Sequence, residues 1–154
     1  RVRTTVKEAY KPLLQEESDK LLDSESVTRE ALRVTEEDGN FNELAKSIII
    51  LVRMAPDEIR SQQIENGDFQ GILAFSKVCT HSGCAIALYE QRTKHLLCPC
   101  HQSEFDVANE CEVIFGPAAR PLPQLPITID AEGYLVAQSD FTEPVGPSFW
   151  EREK

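Results

Sequence analysis

The apolar residues of this chain fall in short, separated runs, and their texture changes near residue 46. Residues 12–22 carry leucines at 13, 14, 21 and 22, a spacing that fits a helix. Residues 26–33 read as a second short helix, with Ser26 as its cap and Arg29 and Glu30 inside. Taken together, residues 1–45 form a polar, partly helical segment packed on, or connecting to, the domain that begins at residue 46. Residues 47–53 are dense in β-branched side chains and predict a buried strand. Pro56, Asp57 and Glu58 then open a short helix, because proline is tolerated in a first turn and carboxylates suit the positive end of the helix dipole. Asn66, Gly67 and Asp68 make a turn, and residues 69–78 predict a second strong strand that runs straight into Cys79.

Shorter strands are expected at 85–89 and 94–97, with a turn between them. The Pro-rich stretch 116–126 can be neither helix nor central strand, since proline fixes φ and has no N–H to donate. Residues 127–130 and 134–138 flank Ala131, Glu132 and Gly133, which is a hairpin signature. The stretch 144–150 is broken by Pro and Gly. The chain is therefore mainly β, an antiparallel domain over residues 46–154 with an insertion between its strands.

At 154 residues and 17.3 kDa the chain fits one ordinary domain with a small appendage. Hydrophobic residues at 41 % and charged residues at 27 % are a globular composition. The net charge is −10, and 11 of the 26 acidic residues fall in residues 1–45, so the acidity is spread along the chain. Such a chain is repelled by phosphate backbones, which argues against a nucleic-acid partner. No apolar run approaches the roughly 20 residues that cross a bilayer, and no signal-peptide pattern is present. The sequence opens at Arg1 without an initiator methionine, so a membrane anchor or targeting segment is expected upstream.

The cysteines change this picture most. Four of the five fall in two boxes, Cys79-Thr80-His81-Ser82-Gly83-Cys84 and Cys98-Pro99-Cys100-His101-Gln102-Ser103, and each box also holds a histidine. Sixteen residues separate His81 from Cys98. Each box offers one soft thiolate and one imidazole from a loop. A zinc ion could take such a quartet, although zinc sites favour C-x2-4-C and H-x3-5-H pairs. Mixed boxes suit better a two-iron cluster in which two thiolates hold one iron and two imidazoles the other. Cys84 and Cys100 occupy one equivalent place per box, either as a disulfide or as two free thiols. Cys111 has no partner by count and reads as an inert thiol, and His95 reads as a strand or surface histidine. Trp150 reads as a docking contact for the tail. No G-x-S-x-G, H-E-x-x-H or phosphate-binding glycine loop supports a hydrolase.

The pattern C-T-H-x-G-C … C-P-C-H-x-S closely resembles that of Rieske [2Fe–2S] proteins, of the type found in quinol:cytochrome c oxidoreductases (cytochrome bc complexes), and within them the actinobacterial branch. The likeness is dense over residues 69–126, loose to 150, and does not explain 1–45. It implies an antiparallel β-sandwich base with an inserted cluster-binding subdomain at 79–110 and one [2Fe–2S] cluster. It further implies Cys79 and Cys98 as ligands of the inner iron, and His81 and His101 as ligands of the outer iron through Nδ1. A Cys84–Cys100 disulfide, a proline loop from Gly116 and Pro117 that covers the cluster, and a hydrogen bond from the Ser103 hydroxyl to a cluster sulfur are implied by the same resemblance.

The function so implied is proton-coupled electron transfer from quinol to a c-type cytochrome, with His81 or His101 on the quinol hydroxyl. The implied partners are a quinol-binding cytochrome b subunit and a c-type cytochrome subunit, and the implied place is the extracytoplasmic face of the bacterial plasma membrane. The isolated domain is then an electron carrier without full turnover. Three positions depart from the common pattern. Gln102 stands where glycine follows the histidine, so the backbone there is expected not to need positive φ. Phe105 stands where high-potential members carry a tyrosine that bonds a ligand thiolate, which implies a lower potential and menaquinol rather than ubiquinol. Ser82 replaces a common leucine, and either alters contact with the quinone pocket or marks a variable position. The competing classes are a Rieske ferredoxin or oxygenase domain, whose boxes generally lack the second cysteine pair, and a structural zinc module.

Overall fold

The computed structural model describes residues 32–33, 48–60, 71–131 and 135–151. Its strands, in chain order, are β1 (Leu32–Arg33), β2 (Ile48–Arg53), β3 (Ile72–Ser76), β4 (Leu88–Glu90), β5 (His95–Leu97), β6 (Glu104–Asp106), β7 (Glu112–Phe115), β8 (Ile127–Ile129) and β9 (Leu135–Ala137). They form three antiparallel sheets, β1-β2-β3, β4-β5-β6-β7 and β8-β9. Short 3₁₀ turns at Pro56–Glu58, Val107–Asn109 and Ser148–Glu151 complete the regular structure. Among the described residues no helix is long and apolar enough to cross a membrane.

The β2–β3 pair is buried on both faces. Ile50 pairs with Phe75 and Val52 with Leu73, and these four side chains share a core with Ile86, Leu96 and Phe105 of the inserted sheet region. The alternate residues, Ile49, Leu51, Ile72 and Ala74, pack with Leu125, Ile127 and Leu135 beneath the β8–β9 hairpin. Burial on both sides explains why β2 reads as an unbroken apolar run and not as an alternation. The four-stranded sheet is inserted between β3 and β8, and the segment after β2 fastens it. The Arg60 N–H donates to the Ala108 carbonyl at 2.8 Å, and its guanidinium pairs with the Asp106 carboxylate. Lys94 Nζ lies 3.3 Å from the Glu58 carboxylate.

Several expectations are corrected. Leu32 and Arg33 are not the end of a helix but strand β1, with Leu32 opposite Ile49, because the apolar edge of β2 is available for pairing. The rest of that helix, the one over 12–22 and the turn at 66–68 lie outside the described residues. Strand β3 stops at Ser76, whose side chain accepts the Val78 N–H at 3.1 Å, and Val78 then bridges to Ala85. Strands β6 and β7 have no counterpart in the sequence pattern. β6 is three residues long, and β7 turns Ile114 and Phe115 to solvent, so neither carries a legible alternation.

Phe75 is fully buried at the centre of the face shared with the inserted sheet. Phe75→Ala should lower the unfolding free energy by about 3–5 kcal/mol, as for other large-to-small changes in packed cores. Denaturant unfolding checks this, and a loss below about 1 kcal/mol, typical of surface sites, would show that this face does not carry the core.

Candidate metal centre

The two boxes fold into loops with the same backbone closure. In the first, the Cys79 N–H donates to the Cys84 carbonyl at 2.8 Å, and the Gly83 N–H returns to the Cys79 carbonyl at 3.0 Å. In the second, the Cys98 N–H donates to the Ser103 carbonyl at 2.9 Å, and the Gln102 N–H returns to the Cys98 carbonyl at 2.9 Å. The returning residue has positive φ in both, +85° at Gly83 and +61° at Gln102. This overturns the expectation that Gln102 needs no such conformation. The closure demands it, and glutamine occupies it at a cost on the order of 1–2 kcal/mol.

Matched closure places matched chemistry. Cys79 and Cys98 are buried at the loop bases, whereas His81 is half-buried and His101 exposed at the rim. The two imidazoles meet edge to face with centroids 4.6 Å apart. Their Nδ1 atoms face each other at 3.3 Å, which puts each Nε2 on the outer side of its ring. Cys84 and Cys100 are joined by a disulfide, with Cα atoms 6.5 Å apart. The Cys98 sulfur lies within 4.8 Å of both disulfide sulfurs, but those two are bonded to each other and offer no thiolate. Burial pushes the Cys79 thiol up to about 11, with neighbouring Cys98 adding to the rise and backbone hydrogen bonds from His81 and Ser82 opposing it. Two dry thiols below two inward-facing imidazole nitrogens fit a group that takes soft sulfur on one side and imidazole on the other.

A third wall comes from the proline-rich loop. Gly116, at φ +89°, approaches so closely that a Cβ there would lie 2.5 Å from Ser103 Cα and 2.7 Å from the Gln102 carbonyl oxygen. The Ala118 N–H donates to Ser103 Oγ at 3.1 Å, and Ser103 is fully buried. Pro117, beside Gly116, is exposed. Thr80 Oγ1 donates to the Arg120 carbonyl at 2.6 Å, tying the first box to the same loop. The sequence pattern does not single out Thr80 or Arg120 for this role, although threonine inside the first box is its one visible sign. Phe105 is fully buried in the core beneath the boxes. Cys111 is also buried, its thiol pushed well above the usual range by burial and then by Asp106, and His95 on β5 faces Glu104 at 3.6 Å. Neither belongs to the facing set of His81 and His101.

The model of the Rieske [2Fe-2S] domain family matches residues 28–126. The cytochrome bc1 complex Rieske iron-sulfur subunit of Streptomyces lividans is 54 % identical over 118 residues, which is 76 % of this chain and 69 % of that protein. The subunit of the same name from Mycobacterium tuberculosis (strain ATCC 25618 / H37Rv) is 53 % identical over 108 residues, 68 % of this chain and 25 % of that protein. The soluble domain of Rieske protein II (soxF) from Sulfolobus acidocaldarius shares the fold, with a TM-score of 0.57 at 23 % identity over 88 % of this chain and 76 % of that one. The chain belongs to the Rieske [2Fe–2S] family, among relatives that are Rieske subunits of cytochrome bc1 complexes. Its cofactor is accordingly one [2Fe–2S] cluster. The match spans only 33 % of the Streptomyces coelicolor relative, so longer family members extend well beyond it.

The loop geometry has consequences for both alkaline stability and cluster retention. Burial holds Cys79, Cys111 and Tyr89 in their neutral forms, Tyr89 being pushed up to about 12. Above pH 9 the unfolded chain therefore releases protons that the folded, cluster-free chain retains, and stability falls as pH rises. The share from Cys79 is complete below pH 9 and is lost as pH climbs through about 11; half-buried Lys94, pushed down by desolvation, opposes it in part. Denaturant unfolding of cluster-free protein across that window should show the decline, and a flat profile would contradict it. Separately, Gly116→Ala should shorten the lifetime of the bound cluster at least severalfold, because backbone must move away from backbone. Loss of visible absorbance with time reports this, and an unchanged lifetime would mean that the loop is not a wall.

Proposed function

We propose that Cys79 and Cys98 hold one iron of the cluster and His81 and His101 the other, and that the chain is the electron-carrying head of a quinol-oxidising respiratory bc complex. The observation that carries this reading is the pair of equal loops, with thiols buried at their bases and Nδ1 atoms 3.3 Å apart at their rim. When bound, the cluster supplies a one-electron site between quinol and a c-type cytochrome. The thiols ligate as thiolates, so their protons leave on assembly. Nε2 of His81 or of His101, outside the ligand set, accepts the hydrogen bond and then the proton of the quinol hydroxyl. The Cys84–Cys100 disulfide holds the two loops in register and suits an oxidising compartment. Ser103 Oγ already accepts the Ala118 N–H, leaving its own hydrogen to donate to a cluster sulfur. Gly116 and Pro117 begin the cover.

The partners in this reading are a cytochrome b subunit that binds quinol and a c-type cytochrome subunit. The place is the extracytoplasmic face of the plasma membrane, with an anchor in a segment upstream. Phe105 offers no hydroxyl beside the ligand thiolates, which favours a lower potential and menaquinol as donor. A Rieske ferredoxin serving an oxygenase is less well supported, because the disulfide and the 54 % identity to a bc1 subunit both point to the quinol-oxidising branch.

An EPR spectrum of the dithionite-reduced protein tests the ligand assignment. A rhombic signal with average g below the free-electron value is expected; a colourless, silent sample containing zinc would overturn the assignment. Redox titration of that signal then tests the tuning. Ser103→Ala should lower the midpoint by removing a donor, and Phe105→Tyr should raise it by adding one. A Tyr variant with the parent midpoint would remove the argument for menaquinol.

A further inference from the structure

The two ligand loops share one closure but have different outer walls. The second loop is backed by Gly116 and Ala118 of the proline loop. Behind the first loop stands the six-membered ring of Trp150. A Cβ on Gly83 would lie 2.6 Å from Trp150 Cζ2, and a Cβ on Gly146 would lie 2.4 Å from its Cε3. The ring is thus held between two glycines, one in the ligand loop and one in the tail, with Gly83 against one edge and Gly146 against the other. The Trp150 N–H donates to the Pro147 carbonyl at 3.0 Å, which folds the tail back on itself. Val145, Gly146 and Pro147 are buried, so the tail is seated on the body of the domain. The Arg120 guanidinium donates to the Gly146 carbonyl, while the Arg120 carbonyl accepts from Thr80 of the first box. Tail, proline loop and first ligand loop therefore meet in one closed set of contacts.

The identities at the two returning positions agree with this. Gly83 and Gln102 are equivalent by closure and by positive φ. Gln102 is exposed and carries a side chain, whereas the Trp150 ring leaves room for none at Gly83. Glycine at 83 is required by what covers it as well as by its backbone conformation. The loop it belongs to is closed by the Gly83 N–H on the Cys79 carbonyl at 3.0 Å and by the Cys79 N–H on the Cys84 carbonyl at 2.8 Å. It is only six residues long, so a shift at Gly83 moves the whole turn, including the backbone amides of His81 and Ser82 that follow Cys79.

We propose that Trp150, fastened through Gly146 and Arg120, is a positioning residue for the first ligand loop, holding the Gly83–Cys79 closure that sets the Cys79 sulfur relative to the loop's own backbone amides. The proposal rests on the assignment of Cys79, His81, Cys98 and His101 as cluster ligands. Hydrogen bonds to ligand sulfur stabilise the added electron, so loosening them lowers the reduction potential.

The test compares parent, Trp150→Phe and Trp150→Ala proteins loaded with cluster, titrated by EPR. Trp150→Ala should show a lower midpoint and altered g values, and Trp150→Phe, which keeps a ring against Gly83, should recover most of both. An Ala variant with parent midpoint and parent g values overturns the proposal, even if its melting temperature falls, because the ring would then be a plug only. A raised midpoint also overturns it, since water entry and not loop geometry would dominate. A parent protein without a rhombic signal would instead overturn the cluster assignment. If Trp150→Ala does not retain cluster, the rate at which a phosphine reduces the Cys84–Cys100 disulfide is read in cluster-free parent, Phe and Ala proteins. A severalfold faster reduction in the Ala variant alone is expected, and equal rates in all three overturn the proposal.

Discussion

Two loops of six residues must present two thiols and two imidazoles toward one another, with no helix or sheet inside either loop to stiffen them. The constraint that achieves this is the repeated closure, in which the cysteine N–H reaches the carbonyl five residues ahead and the cysteine carbonyl takes the N–H four residues ahead. Each closure satisfies backbone groups that burial would otherwise leave unpaired. It also makes each loop a unit with its thiol at the base and its imidazole at the rim. The Cys84–Cys100 disulfide then fixes one unit against the other. The placement of these four side chains is a property of backbone hydrogen bonds first and of the side chains themselves second.

The bases of the loops continue the core. Cys79 and Cys98 belong to the same apolar cluster as Ile50, Phe75, Leu96 and Phe105. Strand β3 leads toward the first thiol, and β5 ends beside the second, at Leu97. The two-sided burial of β2 and β3 therefore fixes more than stability, because it sets the platform from which both thiols rise. The burial that opposes thiolate formation also makes a dry site in which hydrogen bonds to sulfur are strong.

What could be read in the sequence depended on how local its cause was. β2 was legible because five consecutive apolar residues need two buried faces, and the β8–β9 hairpin because Gly133 stands between two apolar runs. The boxes were legible because the spacing of their cysteines and histidines is a local code, and their resemblance to a known pattern supplied the disulfide. β6 and β7 were not, since their pairing comes from sheet neighbours and not from their own alternation. Gln102 misled because side-chain identity suggested an ordinary backbone, while loop closure dictated φ of +61°. Trp150 was expected as a tail contact, but its place against Gly83, far away in sequence, is set only by the fold.

The walls of the site also limit which of its side chains reach the surface. The proline loop presses backbone against backbone at Gly116, and its Ala118 N–H reaches down to the buried Ser103. The tail presses a ring against Gly83 on the other side. The thiols lie below, within the apolar core. Of the four residues assigned as ligands, only the histidines reach the surface, with His101 the more exposed. A redox partner that approaches the rim therefore meets imidazole before sulfur. On the proposed assignment, the rim imidazoles would offer one face to both proton and electron.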